Sequence, residues 1–150
     1  MNEFTVKPHN IHIGCDHAAV DLKNFIVALL KERGHEVIDH GVNTTDSCDY
    51  PDIAHEVCRA MEGRESTAGI LLCGTGIGMS IAANRHPHIR AALCTTELHA
   101  SLARRHNNAN MLCMGARVTG VELARAILRT FLETDFEGGR HQRRVDKLGI

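Results

Sequence analysis

The stretch AGILLCGTGIGMSIAAN, residues 68–84, sets a thiol against a loop suited to holding an anion: a short apolar strand ends at Cys73, and glycines follow at 74, 76 and 78. Glycines after a strand let successive backbone N–H groups converge on negative charge. A thiol beside such groups is a candidate base or nucleophile, because its anionic form is the one they favour. The loop is not a P-loop, since the lysine and hydroxyl that follow the last glycine of that motif are absent. A dinucleotide fingerprint fails at Met79, where a third glycine is required, although Glu97 lies at the distance expected of a ribose-binding acid. The plain alternatives are a tight packing turn and a core cysteine closing its strand, as Cys94 and Cys113 close theirs.

Three other stretches carry chemistry. In CDH, residues 15–17, Asp16 and His17 end the first apolar run and face the same crevice as Cys73 if the first and third strands are neighbours; Asp16 is otherwise a helix cap. His12 and Cys15 lie close by, but neighbouring strand residues point to opposite faces and no second cluster completes a ligand set, so no metal is expected. RRHNN, residues 104–108, ends a helix-like segment, where the dipole favours a protonated His106 able to act as an acid, or where a solvated helix end simply is polar. His99 reads as a bystander, and His86 and His88 flank Pro87 in a turn. In the tail, GGRHQRRVDKLG, Arg140 and Arg144 share a face if helical, a spacing suited to two guanidiniums on one phosphate or to a solvated surface helix.

These residues need elements to position them. NIHIGCD reads as a strand, and the next segment has apolar residues at 19, 22, 25, 26, 29 and 30, a helical spacing stopped by Gly34. HEVIDHG is a second strand. After the polar loop TTDSCDYPD, Pro51 opens a helix through about Met61. AGILLC, IRAALC and ANMLCMG are three more strands. GMSIAANR, TELHASLARRHNN and VELARAILRTFL are helices, the last amphipathic with apolar residues at 121, 123, 124, 127, 128, 131 and 132. Five strand–helix alternations predict an α/β, three-layer Rossmann-like domain with a five-stranded parallel sheet and helices on both faces. Ligand sites in such folds gather at the carboxyl ends of the strands. The reading is one domain over residues 1–150, with a core of about 10–133 and a C-terminal helical tail from 134 to 150.

Composition limits the partners. The 17 basic and 18 acidic residues give a formal charge of −1, and aromatics make up 3% of the chain, so neither a nucleic-acid surface nor a stacking platform is expected. MNEFTVKPHN has no leader-like apolar core and no apolar run nears a bilayer span, which reads as a soluble, cytoplasmic protein without membrane contact. Six cysteines without a C-x-x-C pair read as reduced thiols.

GCDH, DYPD, CGTGIGMSIAAN, RRHNN, GAR and EGGRHQRR fall in order across residues 14–144. Together they resemble the type B ribose-5-phosphate isomerase family, with its allose- and galactose-6-phosphate isomerases. The resemblance implies an aldose–ketose isomerisation of the pentose phosphate pathway, without metal or cofactor, through ring opening and a cis-enediolate. It implies Cys73 as the base, in the cysteine branch marked by Met79 where another branch carries glutamate. Thr75 lies near the reacting oxygens, and Gly74, Thr75, Gly76, Ile77 and Gly78 supply amides to the oxyanion. His106 matches the ring-opening acid, with Asn107 beside it. Asp16 and His17 match sugar-binding positions, Asp16 within the catalytic set, and Tyr50 lies in the matching loop. Arg117, Arg140 and Arg144 match phosphate-binding arginines, with His141 close by. The resemblance also implies a homodimer, or a tetramer built on it, with sites shared between subunits and the tail packed on a partner. Ribose 5-phosphate is the expected substrate; allose 6-phosphate, galactose 6-phosphate and a tetrulose 4-phosphate fit the same mechanism. A phosphosugar or nucleotide sensor without chemistry, and a dinucleotide-dependent oxidoreductase, are the alternatives from other classes.

Overall fold

The structure, a computed structural model, describes residues 9–64 and 67–149. The N-terminal stretch 1–8, read for a leader, and the last tail residue lie outside the described residues. Five strands alternate with helices as the periodicity predicts: β1 (Asn10–Cys15), α1 (Val20–Glu32), β2 (Glu36–Asp39), α2 (Tyr50–Ala60), β3 (Thr67–Cys73), α3 (Ile77–Ala83), β4 (Ala91–Leu93), α4 (Glu97–Asn107), β5 (Met111–Gly115), α5 (Val121–Glu133) and α6 (Arg140–Asp146). All strand pairs are parallel, in the order β2-β1-β3-β5-β4. The edge strands β2 and β4 are shorter than the segments 35–41 and 89–94 that the sequence suggests for them.

Side-chain alternation along the strands divides the core. Ile11, Ile13, Ile70, Leu72, Leu112 and Met114 point to the layer of α1, α4 and α5. Leu71, Cys73, Met111 and Cys113 point to the layer of α2 and α3. The second layer lies close: a Cβ on Gly14 would meet Ile53 at 2.6 Å and Val57 at 2.9 Å, so only glycine lets α2 pack there. In α5, residues 124, 127, 128, 131 and 132 are buried, but Val121 and Leu123 are exposed. The apolar stripe of that helix is narrower than its sequence suggests.

Among the described residues, one charged side chain is wholly buried. Lys23 lies within the buried face of α1, and its Nζ meets Val42 O at 3.0 Å, Asn43 Oδ1 at 2.6 Å and Asp39 Oδ2 at 3.0 Å. Three acceptors satisfy the three protons of the ammonium, which is the condition for burying it. The residues it ties down begin the loop that leads to α2. Among the described residues, no helix is long and apolar enough to cross a membrane.

Candidate active site

Chain direction makes the site. From β1 the chain moves to β2 on one side, and β3 lies on the other side of β1, so the topological switch falls between β1 and β3. At that position the carboxyl ends of two strands open a crevice. Asp16 follows β1 and Cys73 ends β3, and the N–H of Asp16 donates to Leu72 O at 3.1 Å, holding the two strand ends together. The condition under which Asp16 and His17 share a crevice with Cys73, adjacency of the first and third strands, holds.

The glycine loop turns back on the thiol. Gly76 has φ 79°, a left-handed conformation open to glycine, and a Cβ there would lie 2.8 Å from the backbone of Met114. In this conformation its N–H donates to Cys73 Sγ at 3.1 Å, a bond that a thiolate accepts more strongly than a thiol. A Cβ on Gly78 would lie 2.4 Å from Tyr50 Cζ, and one on Gly74 3.3 Å from the Arg117 side chain. Absent side chains in the loop therefore let Tyr50 and Arg117 close over it. The Arg117 N–H also donates to Gly74 O at 2.9 Å. Thr75 is exposed, and its Oγ1 accepts the N–H of Ile77 at 3.3 Å.

Asp16 is buried and its Oδ1 accepts from Ala18 N–H at 2.9 Å, closing a turn rather than capping α1, whose N-cap is Ala19. His17 Nδ1 accepts the N–H of Cys48 at 3.3 Å, so the neutral ring carries its proton on Nε2. Burial pushes the thiols of Cys15 and Cys58 up to about 11, Cys94 up to about 12, and Cys113 well above the ordinary range. Among the described residues, none of these four receives an N–H from a glycine loop as Cys73 does.

The remaining site residues lie elsewhere. Because α4 runs back from the carboxyl end of β4, its last turn, with His106 and Asn107, reaches the amino ends of the strands. The tail helix α6 packs there against α4. A cavity of about 680 Å³ is lined both by the strand-start residues His9, Thr67 and Asn110 and by Gln142 and Val145 of α6. The His106 and His141 rings stack with centroids 4.3 Å apart, and Arg140 and Arg144 are exposed. The seven residues of β3 span the sheet, so the two groups stand roughly 20 Å apart within one chain. One chain thus gathers Asp16, His17, Tyr50, Cys73, the loop 74–78 and Arg117 at one pole, and His106, Asn107, Arg140, His141 and Arg144 at the other. Two residues were not foreseen: Cys48, whose N–H orients His17, and Glu137, which joins Arg105, His106 and His141. The i, i+4 spacing of Glu137 and His141 was a legible signal for the second.

Residues 11–148 match the family described as Ribose/Galactose Isomerase. The chain belongs to that family. Membership carries the enzyme class with it, that of an aldose–ketose isomerase. The chain is 49% identical to ribose-5-phosphate isomerase B of Escherichia coli, covering 92% of this chain and 93% of that one. It is 45% identical to D-erythrulose-4-phosphate isomerase of Pectobacterium atrosepticum, covering 93% of each. Ribose 5-phosphate isomerase B from Thermotoga maritima has the same fold, with a TM-score of 0.91 at 52% identity over 94% of this chain and 97% of that one. The Clostridium thermocellum protein of that name matches with a TM-score of 0.91 at 49% identity, over 93% of this chain and 95% of that one.

Proposed function

We propose that the protein interconverts ribose 5-phosphate and ribulose 5-phosphate with Cys73 as the base. The observation that carries this reading is the Gly76 N–H on Cys73 Sγ, inside a glycine loop at the β1/β3 switch point. His106 protonates the ring oxygen as the C1–O bond of the furanose breaks, and the proton that the C1 hydroxyl gives up in forming the aldehyde restores the acid. The thiolate takes the proton from C2 of the open aldose, the electrons pass to the carbonyl oxygen, and the amides of residues 74–78 hold the resulting cis-enediolate. Thr75 carries the hydroxyl proton from O2 to O1. The thiol then returns its proton to C1, which leaves the ketose and regenerates the thiolate. Arg117 meets the phosphate from one side of the cleft, and Arg140 and Arg144 from the other.

The separation of the two poles supports a shared site. His106 and the α6 arginines reach a Cys73 cleft only from a second copy of the chain, so the working unit is a homodimer. Ile77 and Ile81, on successive turns of α3 beside the cradle, and Leu98 at the start of α4 are exposed apolar residues suited to that contact.

A second substrate reading rests on the 45% identity to the erythrulose-4-phosphate enzyme: a four-carbon ketose phosphate needs the same proton transfer but has no ring to open. Turnover efficiencies on ribose, allose, galactose and erythrulose phosphates decide between them. Ribose 5-phosphate is expected to lead; a lead for erythrulose 4-phosphate would transfer the assignment, and no turnover on any of them would reject the isomerase reading.

A further inference from the structure

Between α5 and α6 the chain crosses the end of α4 at Glu137, and this residue joins the two helices. Its N–H donates to Arg105 O at 3.1 Å, one of the carbonyls that the last turn of a helix leaves unpaired. Its Oε1 accepts from Arg105 Nε at 2.6 Å and lies 2.6 Å from Nη2, a charge-assisted tether on one carboxylate oxygen. The other oxygen is then aimed at two rings: Oε2 is 3.4 Å from His141 Nε2 and 4.0 Å from His106 Nε2. Those rings lie 13° from parallel.

We propose that Glu137 is a positioning residue: anchored on Arg105, it holds the His106 and His141 rings as one stack and presents His106 to the substrate together with the arginines of α6. The proposal rests on the reading of His106 as the ring-opening acid. Metal ligation by the same three side chains, whose ligand atoms lie within 4.8 Å of one another, is the weaker reading. Arg105 already holds the carboxylate, and near-parallel rings do not converge their nitrogens on one point. The charged groups around the stack are Arg105 on α4 and Arg140 and Arg144 on α6, with Glu137 as the carboxylate among them. Removing Glu137 therefore leaves the pull on a phosphate undiminished while freeing the rings.

That difference defines the test. In the NMR spectrum of the full-length protein, stacked rings shift each other's protons upfield, and Glu137→Ala is expected to abolish those shifts for His106 and His141. The same variant is expected to lose kcat on ribose 5-phosphate by about tenfold or more, a part of what a general acid supplies, with KM changed less than about threefold. Arg105→Gln removes the anchor but keeps Glu137; it is expected to reproduce the loss in weaker form and serves if the alanine variant does not fold. Shifts retained in Glu137→Ala, or a raised KM with kcat intact, would overturn the proposal. If the wild type shows no sugar-phosphate turnover, the function reading fails while the ring shifts still decide the positioning.

Discussion

Two glycines of the cradle, two residues apart, respond to alanine in opposite ways. At Gly76 the left-handed backbone costs an L-residue roughly 1–2 kcal/mol. The new Cβ would also meet Met114 carbonyl carbon at 2.8 Å and Leu93 Cδ1 at 2.7 Å, an overpacking worth about 1–3 kcal/mol where backbone cannot yield. Gly76→Ala is therefore expected to destabilise the protein by about 2–5 kcal/mol and to move the N–H off Cys73. At Gly78 the obstruction is the Tyr50 ring, with Cζ at 2.4 Å and Oη at 2.8 Å, the end of a side chain 39% exposed and free to swing outward. Alanine in α3 also recovers up to about 1 kcal/mol of helix propensity. Gly78→Ala is thus expected to leave stability within about 1 kcal/mol of wild type, yet to raise KM for ribose 5-phosphate by roughly tenfold, about 1.4 kcal/mol, by displacing Tyr50 from the cleft. Urea unfolding and steady-state turnover on both variants measure this. Equal destabilisation of the two, or an unchanged KM in Gly78→Ala, would refute the reasoning.

Burial holds His9, His12, His35 and His86 below the ordinary imidazole range, with partner histidines adding to it for the last three. A lowered folded value means that the unfolded chain binds more protons, so their contribution is present above about pH 6.5 and is lost as pH falls below it. The thermal midpoint is expected to drop between pH 7.5 and 5; a flat or rising midpoint over that range would contradict the pairing. Iodoacetamide at mildly alkaline pH is expected to modify half-buried Cys48 first in the native protein and Cys73, 5% exposed at the end of β3, more slowly, with ribose 5-phosphate protecting Cys73. Mass spectrometry that finds Cys15, Cys58, Cys94 or Cys113 modified as fast as Cys48 would contradict their burial.

The alternation of strands and helices is legible because periods of 2 and 3.6 follow one another with few interruptions. Strand order is not, since it depends on pairings between distant segments; the adjacency of Asp16 and Cys73 became definite only with β1 beside β3. Lys23 shows a second limit. Its place among the apolar positions 22, 26, 29 and 30 looks like a polar residue at the stripe's margin, and its partners Asp39, Val42 and Asn43 belong to another element. The distance between Cys73 and His106 follows from chain direction alone, because a helix that returns from a parallel strand ends at the opposite pole. The roles at the two poles rest on motif order, and the geometry adds what the motifs omit: the N–H on the sulfur, the proton on His17 Nε2 and the tether at Glu137.

The central claim is that the sulfur of Cys73 moves the carbon-bound proton. Its most direct test is isomerisation of ribose 5-phosphate in deuterated water, following deuterium at C1 of the ribulose 5-phosphate by NMR, for wild type and Cys73→Ala. The account predicts deuterium uptake with turnover in the wild type and a loss of both in the variant by roughly a thousandfold. Uptake in Cys73→Ala within tenfold of wild type would contradict it.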